Sequence, residues 1–176
     1  MSVQLRRACA AFAVLACLAV SPRTVATVAY LQVPTIKGPV SKPAYAGWIQ
    51  LASYGFSETF LSGKAPATSV LTFVKSVDRT SPAFSDAYFN NTTLKGSTKL
   101  QTAAISQTTG KTNPTETVEF FNAVVVSDSG AGGDAGATET ITLEFQAISV
   151  CVPVNNKPDA CAQWDFSKNT PTYPGN

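Results

Sequence analysis

The chain has 176 residues, of which 44% are hydrophobic and 14% are charged, and its formal net charge is +2. This length and balance are typical of one packed domain and exclude a disordered chain. The sequence contains no histidine, which excludes Ser-His-Asp and Cys-His catalysis and histidine-ligated metal sites.

The N-terminus has the pattern of a secretory signal peptide. Arg6 and Arg7 precede an apolar run at residues 8–20, and the small-x-small sequence TVA follows at 24–26. The run is shorter than the roughly 20 apolar residues that a membrane-spanning helix needs. We therefore predict a signal peptide at 1–26 and one domain at 27–176, exported to the periplasm or secreted.

Two other export signals are weaker matches. The sequence VLAC at residues 14–17 loosely resembles a lipoprotein cleavage box, which would leave Cys17 acylated. Arg6 and Arg7 are the one feature that a twin-arginine signal would share. Cleavage after residue 26 removes three basic residues and no acid, so the mature chain is nearly neutral. Such a surface argues against binding to nucleic acid or to an anionic membrane.

Three strands are predicted in the first half of the mature chain, at residues 27–34, 47–54 and 70–78. Glycine and two prolines make the segment between the first two strands a loop. The polar segment 55–69 also has the composition of a loop.

A short helix is predicted after the third strand. Ser81 is a good N-cap residue, and Pro82 suits the first helical position, where its missing N–H costs nothing. Phe84, Ala87 and Tyr88 would then share one face.

Two further strands are predicted toward the C-terminus. Residues 120–126, FFNAVVV, are almost wholly apolar, which predicts a strand that is covered on both faces. In residues 139–150 the apolar parity changes after Phe145, which predicts a bulge near Gln146 and Ala147. Several short strands with one short helix indicate an antiparallel barrel or sandwich.

Cys151 and Cys161 would be the two cysteines of the mature chain, with nine residues between them. An even pair in an exported chain is typical of a disulfide, which would tether the tail to the last strand. The alternative is two free buried thiols.

The order of motifs between residues 70 and 150 carries a resemblance. The segment VLTFVKSVD is followed by RTSP and AFSDAYF. Next come TKLQTAAISQT and TVEFFNAVVVS, then a glycine-rich segment, and finally ETITLEFQAISV. This order resembles the Hcp family, the ring-forming tube proteins of bacterial type VI secretion systems. The tail from Gln163 to Asn169 is similar to the closing W-[DN]-x-x-x-N strand of that family. The resemblance covers residues 28–169 and implies a mainly β, antiparallel barrel with one short α-helix packed on its side.

No motif for catalysis or cofactor binding stands out. Asp128, Asp134 and Glu139 surround a glycine-rich segment but lack the ligand spacing of a calcium-binding EF-hand. Glu116 and Glu119 are three residues apart, so on a strand they face opposite ways. Phosphate loops and nucleophile elbows are absent from the sequence. We expect no enzyme activity, no cofactor and no metal.

The resemblance implies self-association into a hexameric ring, stacked into a tube that carries or expels effectors. The candidate subunit interface is the apolar strand, with Phe120, Phe121, Val124, Val125 and Val126. Segment 55–69 corresponds in position to the ring-stacking extension of the family, and the glycine-rich segment 127–137 is a further candidate. Family tubes assemble without a cleaved leader, so the alternative is an exported binding or adhesion module that retains the barrel.

Overall fold

The computed structural model describes residues 26–60, 66–105, 111–134, 136–155 and 159–174. The predicted signal peptide therefore lies outside the described residues, except for Ala26. The described part of the chain forms nine strands, one α-helix and a short 3-10 turn at Pro43–Tyr45. None of the described helices has the length and hydropathy to cross a membrane. In chain order the elements are β1 Ala26–Gln32, β2 Ile49–Leu51, β3 Ser53–Phe60, β4 Pro66–Ser76, α1 Ser81–Phe89, β5 Thr93–Ile105, β6 Thr112–Gly133, β7 Gly136–Glu144, β8 Ala147–Val152 and β9 Ala160–Asp165.

The strands form one antiparallel sheet that bends round into a barrel. Its main path is β2-β1-β5-β6-β7-β4-β3, and β8 joins β6 to β9. The two ends of this path, β2 and β3, are consecutive in the chain and separated by Ala52 alone. The Ala52 N–H donates to the Val74 carbonyl of β4 at 2.8 Å. One bent segment therefore pairs with β1 through its first half and with β4 through its second, as the predicted barrel requires.

Strand β6 is the longest, with 22 residues, and it pairs both with strands of the main path and with β8, which lies off that path. Along one edge it pairs first with β8 and then with β7. Between the end of β7 and the start of β8 the pairing is interrupted. The register is the same on both sides of this break, since Phe121 lies opposite Ala147 and Val125 lies opposite Leu143. The predicted bulge is therefore a break in pairing without an inserted residue.

A kink accompanies the break between β7 and β8. Asn122 has φ 51°, in the left-handed region that asparagine tolerates better than most residues. Its side-chain nitrogen donates to Gln146 Oε1 at 3.0 Å. The kink reverses which parity of β6 faces inward, because Val118 and Phe120 are buried before it and Ala123 and Val125 after it. Even-numbered residues of FFNAVVV face the core before the kink and odd-numbered residues face it after the kink. The run therefore has apolar residues at even and odd positions, although its two faces are not both covered along its whole length.

The barrel core is built from cross-strand pairs on the inner face of β4 and β7. Leu71 lies opposite Leu143 and Phe73 opposite Ile141, and all four side chains are fully buried. Helix α1 packs onto one end of this ladder, with the ring of Phe84 5.7 Å from that of Phe73.

The helix differs from the prediction in its N-cap and in its buried face. It begins at Ser81 with Thr80 as the N-cap, so Pro82 occupies the second helical position. Ala87 is buried with Phe84, but Tyr88 is 40% exposed and does not belong to the buried face.

The prediction of a loop at 55–69 is wrong over most of its length. Residues 53–60 form β3, which pairs with β4 through Ser57 opposite Val70 and Glu58 opposite Ser69. Phe56 reaches the core, where its ring lies 6.0 Å from that of Phe120. In the described sheet β3 has β4 as its one lateral partner, and the residues on either side of Phe56 are Gly55 and Ser57. Small and polar residues are common on edge strands.

The glycine-rich segment 127–137 is also mostly strand. Its residues extend β6 and β7 into a long hairpin in which Gly133 lies opposite Gly136. Ser129, Gly130, Gly132 and the residues around them are exposed. The segment therefore forms a two-stranded arm.

A loop at residues 33–48 covers the outer face of β1. The ring of Tyr45 stacks on that of Tyr30 with a 4.1 Å separation of centroids, and Trp48 meets Tyr45 edge-on at 5.2 Å. A Cβ atom at Gly38 would collide with the carbonyl of Trp48, so the loop needs glycine there. These aromatic contacts make a second, smaller core outside the barrel.

Candidate assembly surfaces

The five predicted interface residues do not lie on one surface. Phe120 and Val125 are 0% and 2% exposed and belong to the core of the chain itself. They are therefore removed from the candidate interface, because the kink at Asn122 brings both of them to the inside. Val124 is half-buried on the outer parity, and Val126 is 42% exposed.

Phe121 also faces outward, but the C-terminal segment covers it. The ring of Tyr173 lies 6.1 Å from that of Phe121 in an edge-on arrangement. The Tyr173 hydroxyl donates to Ser97 Oγ at 2.8 Å. Burial raises the pKa of Tyr173. Of the predicted set, Val124 and Val126 remain open to a neighbour.

A second apolar surface, not predicted from the sequence, lies at the C-terminal end of α1. Phe89 is 79% exposed and its ring lies 5.7 Å from that of Tyr88. We call this pair the helix-end aromatics. The helix is held beside β6, because Ser85 Oγ donates to Asp128 Oδ2 at 2.7 Å. The sequence did contain a signal for this surface. Phe89 lies five residues after Phe84, so on a helix it cannot share the buried face of Phe84.

A shallow apolar groove lies between β3 and the β8–β9 pair. Its volume is about 210 Å³, and we call it the β8–β9 groove. Burial raises the pKa of Glu58 at its edge. The lining residues are Glu58, Ile148, Val150, Ala162, Gln163, Trp164 and Phe166.

The predicted disulfide between Cys151 and Cys161 is present. The two residues lie directly opposite each other on β8 and β9, with their Cα atoms 4.1 Å apart. Cys161 is exposed and Cys151 is half-buried. The bond therefore joins the last strand to the sheet at an accessible position.

A buried charged cluster joins β4, β7 and the start of α1. The Lys75 ammonium lies 2.6 Å from Glu139 Oε1 and 3.1 Å from Asp78 Oδ1. Ser81 Oγ donates to the same oxygen of Glu139 at 2.9 Å. Burial opposes the charge on Asp78, but hydrogen bonds from Thr80 and Lys75 outweigh it and lower the pKa of that carboxyl. These contacts connect β4, β7 and the start of α1, which is a structural role.

The charged side chains considered for a metal or an acid/base site are apart from one another. Glu139 is bound to Lys75, and Asp128 is bound to Ser85. Glu116 accepts from the Tyr54 hydroxyl at 3.5 Å, whereas Glu119 pairs with Lys99 at 2.7 Å. Among the described residues no group of three or more Cys, Asp or Glu side chains is placed to hold a metal ion.

Comparison with known proteins identifies a family for this chain. Residues 30–151 match the family described as type VI secretion system effector, Hcp. A comparison with curated proteins gave no match.

Among solved structures, Hcp1 from Salmonella typhimurium is 20% identical, with a TM-score of 0.71 over 82% of this chain and 98% of that one. An effector of the type VI secretion system from Yersinia pestis is 14% identical, with a TM-score of 0.64 over 78% and 98%. The secreted protein Hcp3 from Pseudomonas aeruginosa is 14% identical, with a TM-score of 0.62 over 80% and 99%. At these identities the likeness is one of fold.

Proposed function

The chain belongs to the Hcp family of type VI secretion systems, and on this basis we propose that its mature form is a structural protein that acts by assembling into rings. The observation that carries the proposal is the family match, which spans more than half of the chain, including the end of β1, the helix entry and the β6–β7 arm. The proposed ring is a hexamer. Stacked rings would form a tube that carries or expels effectors.

The exposed apolar surfaces support self-association. Val126, the helix-end aromatics and the β8–β9 groove all present apolar groups to solvent. The β8–β9 groove and the helix-end aromatics lie at different places, because β8 pairs with residues 117–121 of β6 whereas α1 is held at Asp128. A contact between two different surfaces is head-to-tail, which generates a closed ring or an open filament.

The proposed role needs no catalytic chemistry. The buried charges around Lys75 hold the helix entry to the barrel. We therefore expect the purified mature protein to be inert toward peptidoglycan, lipid and peptide substrates. Turnover that a single Asp, Glu or Ser substitution abolishes would contradict this part of the proposal.

The predicted leader would place the mature protein outside the cytoplasm, either secreted or periplasmic. A chain that crosses the inner membrane before folding would have to assemble after export. The second candidate function is therefore an extracytoplasmic binding or adhesion module with an Hcp-like barrel. The sequence at residues 1–26 favours it.

Light scattering and negative-stain microscopy of the mature chain, residues 27–176, test the proposal. Closed rings of uniform size at micromolar concentration are the expected result. Well-folded monomers under the same conditions would contradict the proposed function and favour the binding module. The circular dichroism spectrum is the control that the chain is folded in either case.

A further inference from the structure

We propose that the Cys151–Cys161 disulfide is a thiol–disulfide exchange site that reacts with external thiols while the barrel stays folded. Cys161 is the sulfur that an incoming thiolate attacks, and Cys151 is the leaving group. The ligand class is a small-molecule or protein thiol. The proposal does not depend on ring assembly.

The first requirement of exchange is access to one sulfur. Cys161 is exposed and lies on β9, which pairs with β8 alone in the described sheet. Cys151 is half-buried on β8, between β9 and β6. Exchange depends on which sulfur is attacked and on its accessibility. The sheet therefore favours attack at Cys161 over attack at Cys151.

The second requirement is a stabilised leaving group, and a hydroxyl is placed for this purpose. Ser149 Oγ lies 3.7 Å from Cys151 Sγ, two residues away on the same face of β8. In the disulfide the sulfur carries no proton, so the hydroxyl is the donor. A hydrogen bond to the departing thiolate lowers its pKa, and a thiol of lower pKa leaves faster.

Gln163 orients the Ser149 hydroxyl. Gln163 lies opposite Ser149, and its Nε2 donates to Ser149 Oγ at 3.4 Å. Because the oxygen accepts from Gln163, its own proton is free to point toward Cys151. Ser149 is 4% exposed, so this bond competes little with water. Ser149 and Gln163 are thus positioning residues behind the disulfide.

The third requirement is that the two sulfurs stay opposite each other after the bond opens. Six register pairs join β8 to β9, from Ala147 opposite Asp165 to Val152 opposite Ala160. Beyond Asp165, Phe166 is buried in the main core. These contacts are independent of the sulfur–sulfur bond. The reduced hairpin therefore keeps its register and can close again.

The reaction balances without an added oxidant. The incoming thiolate forms a bond to Cys161 Sγ as the bond to Cys151 Sγ breaks, and the electron pair leaves on Cys151. The mixed disulfide on Cys161 is then resolved in one of two ways. Cys151 attacks Cys161 and expels the external thiolate, or a second external thiol releases the first as its own disulfide.

Reaction of the folded, oxidised mature protein with reduced glutathione tests the proposal. Samples are quenched with N-ethylmaleimide and the adducts are located by peptide mass spectrometry. We expect adducts on Cys161 in excess over Cys151, at a rate that does not change with sub-denaturing urea. A rate that rises with urea in step with global unfolding would overturn the proposal, as would adducts mainly on Cys151.

Variants separate positioning from a merely structural role. Ser149→Ala should slow exchange roughly 3- to 10-fold, the effect of one lost hydrogen bond, and should reduce the preference for Cys161. Ser149→Thr keeps the hydroxyl and should restore both. Ser57→Ala, at an exposed serine of β3, is the matched control. An unchanged rate and site preference in Ser149→Ala, with the urea midpoint also unchanged, would overturn the role of Ser149.

Discussion

The ammonium of Lys75 lies 2.6 Å from the carboxylate of Glu139, although the side chain of Lys75 is fully buried and that of Glu139 is 6% exposed. The two residues face each other across β4 and β7 at the end of the inner ladder, where α1 begins. Two buried charges at this place are tolerated because each one satisfies the other, and because Asp78 and Ser81 complete the hydrogen bonds.

Removal of one partner of this pair should be strongly destabilising. Lys75→Met leaves the Glu139 carboxylate buried without its ammonium, and we expect the free energy of unfolding to fall by about 3–5 kcal/mol in urea titrations. The double variant Lys75→Met/Glu139→Leu should recover most of this loss. Lys99→Met breaks a partly exposed pair with Glu119 and should cost at most about 1 kcal/mol. Equal losses in the two single variants would contradict the prediction.

Substitutions of two neighbouring valines should have different effects. Val125→Asp introduces an unpaired charge into the core and should destabilise the fold by more than about 3 kcal/mol in urea titrations. Val126→Asp changes an exposed position, so the protein should stay folded and form smaller oligomers in light scattering. A folded Val125→Asp variant would show that this side chain does not belong to the core.

Substitution of the helix-end aromatics should weaken assembly without weakening the fold. Phe89→Ser removes the most exposed of the large apolar side chains in the described residues. The free energy of unfolding in urea titrations should therefore change by less than about 0.5 kcal/mol. Light scattering should show a smaller oligomer than that of the unmodified chain. Val154→Ser, at a less exposed valine, is the control. An unchanged oligomer would exclude this end of α1 from the contact.

The carboxylate of Asp165 should make stability depend on acid pH. Its burial alone would raise the pKa, but hydrogen bonds from the Ser167 hydroxyl and the Lys168 N–H outweigh this and hold the pKa below its usual range. An acid whose folded pKa is lowered adds stability above its unfolded pKa of about 3.9, and this stability is lost as pH falls through the folded pKa.

The variant Asp165→Asn isolates this effect from that of Asp78, whose pKa is also lowered. The stability difference between the unmodified chain and the variant should be largest above about pH 5 and shrink below pH 4. Urea titrations of both proteins above about pH 5 and below about pH 4 test this expectation. Parallel stability curves across the whole range would mean that Asp165 does not titrate differently in the two states.

The signal peptide can be tested on protein from its native host. Intact-mass measurement should give a chain that begins near Thr27, because the small residues at 24–26 fit a cleavage site. A retained leader would contradict export by this route and restore assembly in the cytoplasm.

Local signals allowed correct prediction of the helix position, the disulfide and the barrel class. The Ser-Pro pair identified the helix entry within one residue, since capping depends on neighbours in the sequence. Cys151 and Cys161 could be paired because the mature chain was expected to hold no other cysteine. The family resemblance supplied the helix position on the barrel.

Features that depend on distant partners were missed. At Asn122 the inward-facing side of β6 changes, and this kink involves a hydrogen bond to Gln146 between β7 and β8. The sequence FFNAVVV alone does not show which of its residues face inward. Strand β3 has the composition of a loop because β4 is its one lateral partner in the described sheet, although Phe56 reaches the core. Register and edge position are properties of the sheet.

The pairing of β1 with β5 has a consequence for the time course of folding. Ala29 lies opposite Leu51 of β2 on one side and opposite Thr102 of β5 on the other, so the second edge of β1 stays unpaired until more than seventy residues have followed it. Pairings of such long sequence separation slow folding and prolong the exposure of unpaired strands. An exported chain that emerges from its N-terminus would therefore expose this edge of β1 until β5 has cleared the membrane.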